Sequence, residues 1–178
     1  VEGDQRVSIW ACDREAETGE KETKKVMWSS CDVAVLQTAG ALASVSVDGF
    51  HMCAAKSEGY QGQPFNCVAA TESSTLSLAR CNLTCESDGR TATVNIVRGA
   101  SAKLNKCCVL DSRFGIGVSS KATATLEDND IHSNAYAGVH VQGEGTEVVM
   151  RKNRIYDGKQ AVFQDECGTG HRTRTPDT

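Results

Sequence analysis

The sequence predicts a parallel β-helix, an all-β solenoid of about seven short coils. Two observations predict it: a degenerate eight-residue template recurs along the chain, and a second short motif recurs in phase with it. The composition agrees, because the 178 residues include 16 Gly and only 2 Pro. Short apolar pairs at positions i and i+2 are frequent, which is typical of strands rather than of amphipathic helices.

The template has apolar residues at its first, third and eighth positions and usually a small residue at its sixth. Residues 124–131 and 148–155 fit it best. A coil of this length cannot bury its own apolar side chains, so the coils must stack to form one continuous core. The seven repeats begin at residues 7, 26, 45, 76, 102, 124 and 148.

The second motif is a short apolar stretch that precedes the template by nine or ten residues in three coils. It covers residues 93–96, 115–118, 138–141 and 161–164. Stacked coils pair through parallel strands about 4.8 Å apart, and successive side chains of a strand point to opposite faces. We therefore expect Val139 and Val141 to point inward and His140 to point outward.

The sixth template position predicts a buried ladder along the solenoid. Asn can hydrogen-bond to the coils above and below it, and Cys can fill the same position as a small apolar side chain. Four of the nine cysteines fall at this position, so we expect reduced thiols and a cytoplasmic location. The sequence has no CxxC pair, and we expect no metal and no cofactor. The ladder residues are Cys12, Cys31, Phe50, Cys81, Cys107, Asn129 and Asn153.

Residues 1–167 are predicted to form the solenoid domain, with a mobile charged loop at 13–25 and an extended loop at 53–75. Residues 168–178 are polar and are predicted to be a disordered tail. The net charge of −4 argues against nucleic acid as a partner, and no apolar run reaches the length of a membrane span. Leucine-rich repeats share the short period but need an LxxLxL motif, and a β-sandwich would not explain the aligned ladder.

The rhythm of residues 93–164, with its Asn-x-Ile and Gly-Val-x-Val segments, resembles the right-handed parallel β-helix repeat family. That family includes pectate lyases, polygalacturonases, alginate epimerases and the sugar-hydrolase-like repeat domains of some F-box and adaptor proteins. The resemblance implies right-handed coils. It also implies that an enzyme of this kind would carry its acids and bases on one outward strand face.

The outward row that matches this face lacks such a constellation. Neither it nor the next row offers the paired carboxylates that glycoside hydrolysis needs, so we assign no catalytic residue. A more polar face on another wall has Glu127 and Arg151 on adjacent coils, where we expect a cross-strand ion pair. The matching row is Asn95, Gly117, His140 and Phe163, and the next is Val97, Ser119, Gln142 and Asp165. The polar face is Trp10, Ser29, Asp48, Ala79, Asn105, Glu127 and Arg151.

Four aromatic or histidine side chains are the predicted binding residues. Tyr60 and Phe65 lie in the extended loop, where exposed rings favour an interface, although they could instead tuck onto the solenoid. His140 and Phe163 lie in the outward row. We therefore expect a non-catalytic intracellular interaction or scaffold module that binds an unidentified protein, with carbohydrate as the other candidate ligand. The alternative is a carbohydrate-active β-helix lyase, hydrolase or epimerase, or a fragment of one.

Overall fold

The computed structural model describes residues 27–31, 34–56, 65–86, 91–165 and 172–174. These residues form eighteen β-strands and no helix, which confirms the all-β prediction. Every pair of neighbouring strands is parallel, as a β-helix requires.

The strands form three walls, each a six-stranded parallel sheet. Sheet A contains β1 (Met27–Cys31), β4 (His51–Ala55), β7 (Asn82–Cys85), β10 (Cys108–Leu110), β13 (Asp130–His132) and β16 (Arg154–Ile155). Sheet B contains β2 (Leu36–Ala39), β5 (Val68–Thr71), β8 (Ala92–Ile96), β11 (Phe114–Ser119), β14 (Ala137–Gln142) and β17 (Gln160–Asp165). Sheet C contains β3 (Ser44–Asp48), β6 (Thr75–Ala79), β9 (Ser101–Asn105), β12 (Thr123–Glu127), β15 (Glu147–Arg151) and β18 (Arg172–Arg174).

Each coil passes through sheets B, C and A in that order. The complete coils are β2–β4, β5–β7, β8–β10, β11–β13 and β14–β16, so the described residues contain fewer coils than the seven predicted. The repeat predicted at residue 7 lies outside the described residues.

The sequence pattern places the repeat that begins at residue 26 on the wrong wall. Met27 pairs with His51 and Ser29 pairs with Cys53, so β1 belongs to sheet A and not to sheet C. Ser29 is therefore not part of the polar face, and Cys31 pairs with Ala55 instead of occupying the ladder. An apolar pair at i and i+2 occurs in strands of every wall, so the pattern alone could not identify the sheet.

Alternation along each strand builds the core, as predicted. In β14, Val139 and Val141 are buried at 0% and 1% exposure, while His140 between them lies on the outer face. The same inward positions on neighbouring coils stack into apolar columns. The column beside Val139 and Val141 continues through Ile116 and Val118 of β11 and Val94 and Ile96 of β8.

The asparagine ladder occupies the corner between sheets C and A. Asn129 Oδ1 accepts a hydrogen bond from the backbone N–H of Cys107 at 2.9 Å, and Asn129 Nδ2 donates to the carbonyl of Leu104 at 3.0 Å. On the other side, Asn153 Oδ1 accepts from the backbone N–H of Asn129 at 3.0 Å and from its Nδ2 at 2.9 Å. Each amide thus ties its coil to the preceding one, which confirms the ladder at Asn129 and Asn153.

A left-handed residue makes the same corner sharp in each complete coil. The amide N–H of Arg80, Lys106 and Asp128 donates to a carbonyl of the next coil at 3.0 to 3.1 Å. These bonds help to offset the cost of a left-handed conformation at a residue with a side chain. The left-handed corner residues are Gly49, Arg80, Lys106, Asp128 and Lys152, with φ between 51° and 76°.

A second polar ladder, which the sequence patterns did not reveal, lies at the corner between sheets A and B. Thr93 Oγ1 donates to Ser112 Oγ at 2.8 Å. Asn134 Nδ2 donates to the carbonyls of His132 at 2.9 Å and Val109 at 3.3 Å. These side chains are buried, and they form hydrogen bonds with backbone groups that the strands leave unpaired at the corner.

Two predicted irregular segments contain regular strands. The extended loop predicted at 53–75 includes the end of β4 and all of β5, so any inserted segment lies between residues 56 and 67. The tail predicted to be disordered contains β18, which pairs with β15. The charged loop predicted at 13–25 lies outside the described residues.

The polar face of sheet C is in the predicted register from Asp48 to Arg151. The expected ion pair between Glu127 and Arg151 is absent from the described residues, because facing positions on adjacent strands do not oblige long side chains to meet. Surface ion pairs join Asp48 to Arg80, and Glu72 to Arg98 at 3.8 Å.

Replacing Asn129 by Leu should lower the free energy of unfolding by about 2 to 4 kcal/mol, because it removes buried partners of the adjacent coils at about 1 to 3 kcal/mol each. Urea denaturation would measure the loss. The matched control is Gln142→Leu on the exposed end of β14, which should change stability by less than about 0.5 kcal/mol. Similar losses in the two variants would contradict the ladder.

Candidate binding face

The outward row of sheet B is the one predicted. Asn95, Gly117, His140 and Phe163 stand in one register on four successive strands. The next row aligns Ser119, Gln142 and Asp165. Because the rows run perpendicular to the strands, residues more than twenty positions apart in sequence become neighbours.

An aromatic cluster covers this part of the wall. The ring of His140 stacks on Phe114, with centroids 4.5 Å apart and planes at 22°. Phe163 lies 5.3 Å from His140 on the other side. Tyr136 meets Phe114 and Phe163 edge to face at 5.6 and 5.2 Å. All four rings are partly exposed, and together they form what we call the aromatic face.

Two of these rings were missed by the sequence patterns. Phe114 pairs with Ala92 and Ala137 at the entry to the wall, and Tyr136 immediately precedes Ala137. Both residues come just before the short apolar motif, where the pattern names no outward position. The sequence signal that could have revealed them is an aromatic residue shortly before the motif in two successive coils.

Cationic side chains border the aromatic face. The guanidinium of Arg113 lies 5.3 Å from the centre of the Phe114 ring and 5.4 Å from that of Tyr136. Lys159 Nζ lies 6.0 Å from the Tyr136 ring. Contacts of this kind hold a cation over an aromatic face.

A groove of about 370 Å³ opens beside the cluster. Gly117 lies in it between Asn95 and His140, and a β-carbon at position 117 would lie 3.2 Å from Ala92 Cβ and 3.3 Å from Asn95 Oδ1. The absence of a side chain there leaves room between the two polar neighbours. The groove is lined by Asn66, Thr91, Ala92, Asn95, Phe114, Gly117, Val118, Ser119, His140 and Gln142.

His140 is the titratable group at the centre of the face. Burial lowers its pKa below the ordinary value of 6.5, although the carboxylate of Asp165 acts in the opposite direction and Arg113 lowers it further. Asp165 Oδ2 lies 3.9 Å from His140 Nε2, which is too far for a hydrogen bond. The buried Nε2 atom therefore has no hydrogen-bond partner among the described residues.

The remaining predicted binding residues lie elsewhere. Phe65 is 8% exposed and packs into the core, so the prediction of an exposed loop ring is wrong for this residue, and the alternative of a tucked ring is correct. Burial of a large aromatic ring stabilises the folded state more than exposure of the same ring to water does. Tyr60 lies outside the described residues, whereas His140 and Phe163 meet on the aromatic face.

The described outward rows offer little catalytic chemistry. Asp165 is the single carboxylate beside His140 in the two aligned rows. On sheet C, Asp48 and Glu127 are separated by three coil steps, about 14 Å. Glycosidase pairs are about 5 to 10 Å apart. Within the described ranges no group of three or more His, Cys, Asp or Glu side chains could hold a metal ion.

Comparisons with known proteins agree with the fold. A family model described as a right handed beta helix region matches residues 59–171, which is more than half of the chain. Neither a curated protein nor a solved structure matches the sequence. The part of the chain that the structure describes has no helix long and apolar enough to cross a membrane.

His140 should titrate below pH 6.5 because its ring is largely buried against Phe114 and Phe163. The unfolded chain then binds a proton at His140 more tightly than the folded chain does. The contribution of the neutral imidazole to the free energy of unfolding is therefore complete above pH 6.5, and it is lost as the pH falls below that value. Side-chain NMR titration would measure the midpoint, and His140→Phe should flatten the fall in stability between pH 7 and 5. A midpoint at or above 6.5 would contradict the assigned environment.

Proposed function

The chain belongs to the right-handed β-helix family, and we propose that it is a non-catalytic interaction module that binds a protein partner on the aromatic face. The observation that carries this proposal is the contiguous, partly exposed cluster of Phe114, Tyr136, His140 and Phe163. Aromatic side chains and Arg are the residue types most enriched where protein interfaces gain their affinity.

The rigidity of the wall supports the proposal. Three of the four rings are carried by strands of sheet B, and each ring is held by its neighbours on adjacent coils. Binding to such a surface requires little ordering of side chains, which lowers the entropic cost of association. A β-helix wall therefore suits a partner that lays a segment across several coils.

The charges around the face favour a particular type of segment. Arg113 and Lys159 border the rings on one side, and Asp165 lies beyond His140 on another. A partner segment with apolar side chains flanked by acidic ones would match the rings and the two cations. Such complementarity raises association rates and helps to exclude other partners.

One observation favours the alternative, a carbohydrate-active enzyme. His140 Nε2 is unpaired beside a groove, and Asp165 lies 3.9 Å from it. A base of this kind could abstract a proton from a uronate. A hydrolase would need a second acid or nucleophile across the scissile bond, and the aligned rows supply none on the described residues. The interaction module requires no such pair, which is why we prefer it.

Replacing Phe163 and Tyr136 by Ala should abolish capture of the partner, because truncation of central aromatic residues at an interface commonly costs about 2 kcal/mol or more each. The measurement is quantitative affinity capture from matched lysate, followed by binding measurements with the purified prey. Thr125→Ala on the outer face of sheet C is the matched control and should retain the partner.

Incubation with polyuronates and neutral glycans separates the two functions. The interaction module predicts neither unsaturated uronates nor new reducing ends. Turnover that His140→Ala abolishes would overturn the proposal in favour of the enzyme. Identical sets of captured proteins for the wild type and the double variant would also contradict it.

A further inference from the structure

The outer face of sheet A carries chemistry that the aromatic face does not use. One of its rows aligns Asn82, Cys108, Asp130 and Arg154 on successive strands. The adjacent row contains Leu110 and His132. Cys108 in the first row and His132 in the second are diagonal neighbours, so a thiol and an imidazole lie close together.

Cys108 and His132 are within hydrogen-bond distance. Cys108 Sγ lies 3.5 Å from His132 Nε2, and both side chains are partly exposed. The other ring nitrogen, Nδ1, lies 2.9 Å from Ser133 Oγ. A nucleophile beside a base that a third group orients is the arrangement by which proteins activate thiols. With Nδ1–H donating to Ser133, Nε2 becomes the acceptor for the thiol proton.

Tyr156 holds the imidazole in place. Its ring stacks on His132 with centroids 5.0 Å apart and planes at 16°. The guanidinium of Arg154 lies 5.3 Å from the centre of the Tyr156 ring on the same coil. Tyr156 also donates a hydrogen bond to Asp130 Oδ2 at 3.4 Å, which links the support of the imidazole to the row that contains Cys108.

We propose that Cys108 and His132 form a nucleophilic thiol site that reacts with small disulfides carrying N–H groups. His132 Nε2 takes the thiol proton, and the Cys108 thiolate attacks one sulfur of the disulfide. The S–S bond of the reagent breaks as the new Cys108–S bond forms, and the departing thiolate receives the proton from His132. The products are a mixed disulfide on Cys108 and one small thiol, so no further oxidant is needed.

The neighbours of Cys108 indicate the class of disulfide. Asn82 Oδ1 and Asp130 Oδ1 are buried oxygens without a hydrogen-bond partner in the described residues, and they belong to the residues on either side of Cys108 in its row. Buried acceptors of this kind favour an ammonium or amide donor. A small disulfide with such groups would bring a cationic donor towards the carboxylate of Asp130, which is next to Cys108 in the row, while its sulfur meets the thiol.

The charged groups around the site have opposite effects on the stability of the Cys108 thiolate. Asp130 is adjacent to Cys108 and disfavours a thiolate, whereas Arg154 follows in the same row and favours it. Asp157 lies near Tyr156. His51 is the next residue beyond Asn82 along the row. His132 contacts the thiol directly, and the proposal assigns the activation to it.

The other described cysteines provide internal controls. Cys67, Cys85 and Cys107 are at most 1% exposed, and burial raises the pKa of Cys67, with Cys85 and Cys53 adding to the effect. Cys53 is partly exposed on the same wall, where it pairs with Thr84. Among the described residues it shows no contact with an imidazole, so it matches Cys108 in exposure without sharing the base.

The test is the rate of mixed-disulfide formation with cystamine, a small disulfide with two ammonium groups. The reduced full-length chain is reacted at pH 7, quenched with acid and mapped by peptide fragmentation, which separates Cys108 from Cys107. Cys108 should react at least about fivefold faster than Cys53, because an ordinary thiol is only a few per cent thiolate at this pH. Cystamine should also react faster than 3,3′-dithiodipropionate, which has carboxylates in place of the ammonium groups.

His132→Phe keeps a ring on Tyr156 but removes the base. It should slow the reaction of Cys108 about fivefold, move its pH–rate midpoint to higher pH and leave Cys53 unchanged. An unchanged Cys108 rate in this variant would overturn the proposal, as would Cys53 reacting as fast in the wild type. Equal rates with the two disulfides would overturn the ligand class. If the variant does not fold, the wild-type profile decides: the proposal requires a lower midpoint for Cys108 than for Cys53.

Discussion

The alignment of each coil on the previous one is the constraint on which the rest of the structure depends. Parallel pairing fixes the alignment along three walls, and buried amides fix it at the corner between sheets C and A. A shift by one residue would turn the buried apolar columns outward and separate Asn129 from the groups it bonds. Left-handed corner residues such as Lys106 and Asp128 are tolerated because the same alignment gives their N–H groups partners.

The same alignment determines the outer surface. Inward positions are occupied by apolar side chains, and the intervening positions form rows that need not contribute to the core. On sheet B such rows bring His140 between Phe114 and Phe163. On sheet A they bring Cys108 to His132. Each surface combines residues from different coils, so both depend on correct stacking.

The repeats predicted the columns, the ladder and the outward row of His140 because these features follow directly from periodicity. They could not assign Met27–Cys31 to its wall, since an apolar pair fits any of the three sheets. They also missed Phe114, the first residue of β11, and Tyr136, which immediately precedes β14, because the repeated motif begins after both residues. The contact between Cys108 and His132 is diagonal between two rows, and its distance depends on side-chain directions that a repeat pattern does not contain. Phe65 shows the reverse case. Its position in a predicted loop favoured an exposed ring, but the ring packs in the core.

The register that holds the coils together also brings distant rings into one face. Inter-ring nuclear Overhauser effects in the folded protein test it most directly. We expect cross-peaks from His140 to both Phe114 and Phe163, whose ring centres lie 4.5 and 5.3 Å from its own. Cross-peaks should also join Tyr136 to the same two phenylalanines. A folded protein in which His140 shows neither contact would contradict the register and the binding face together.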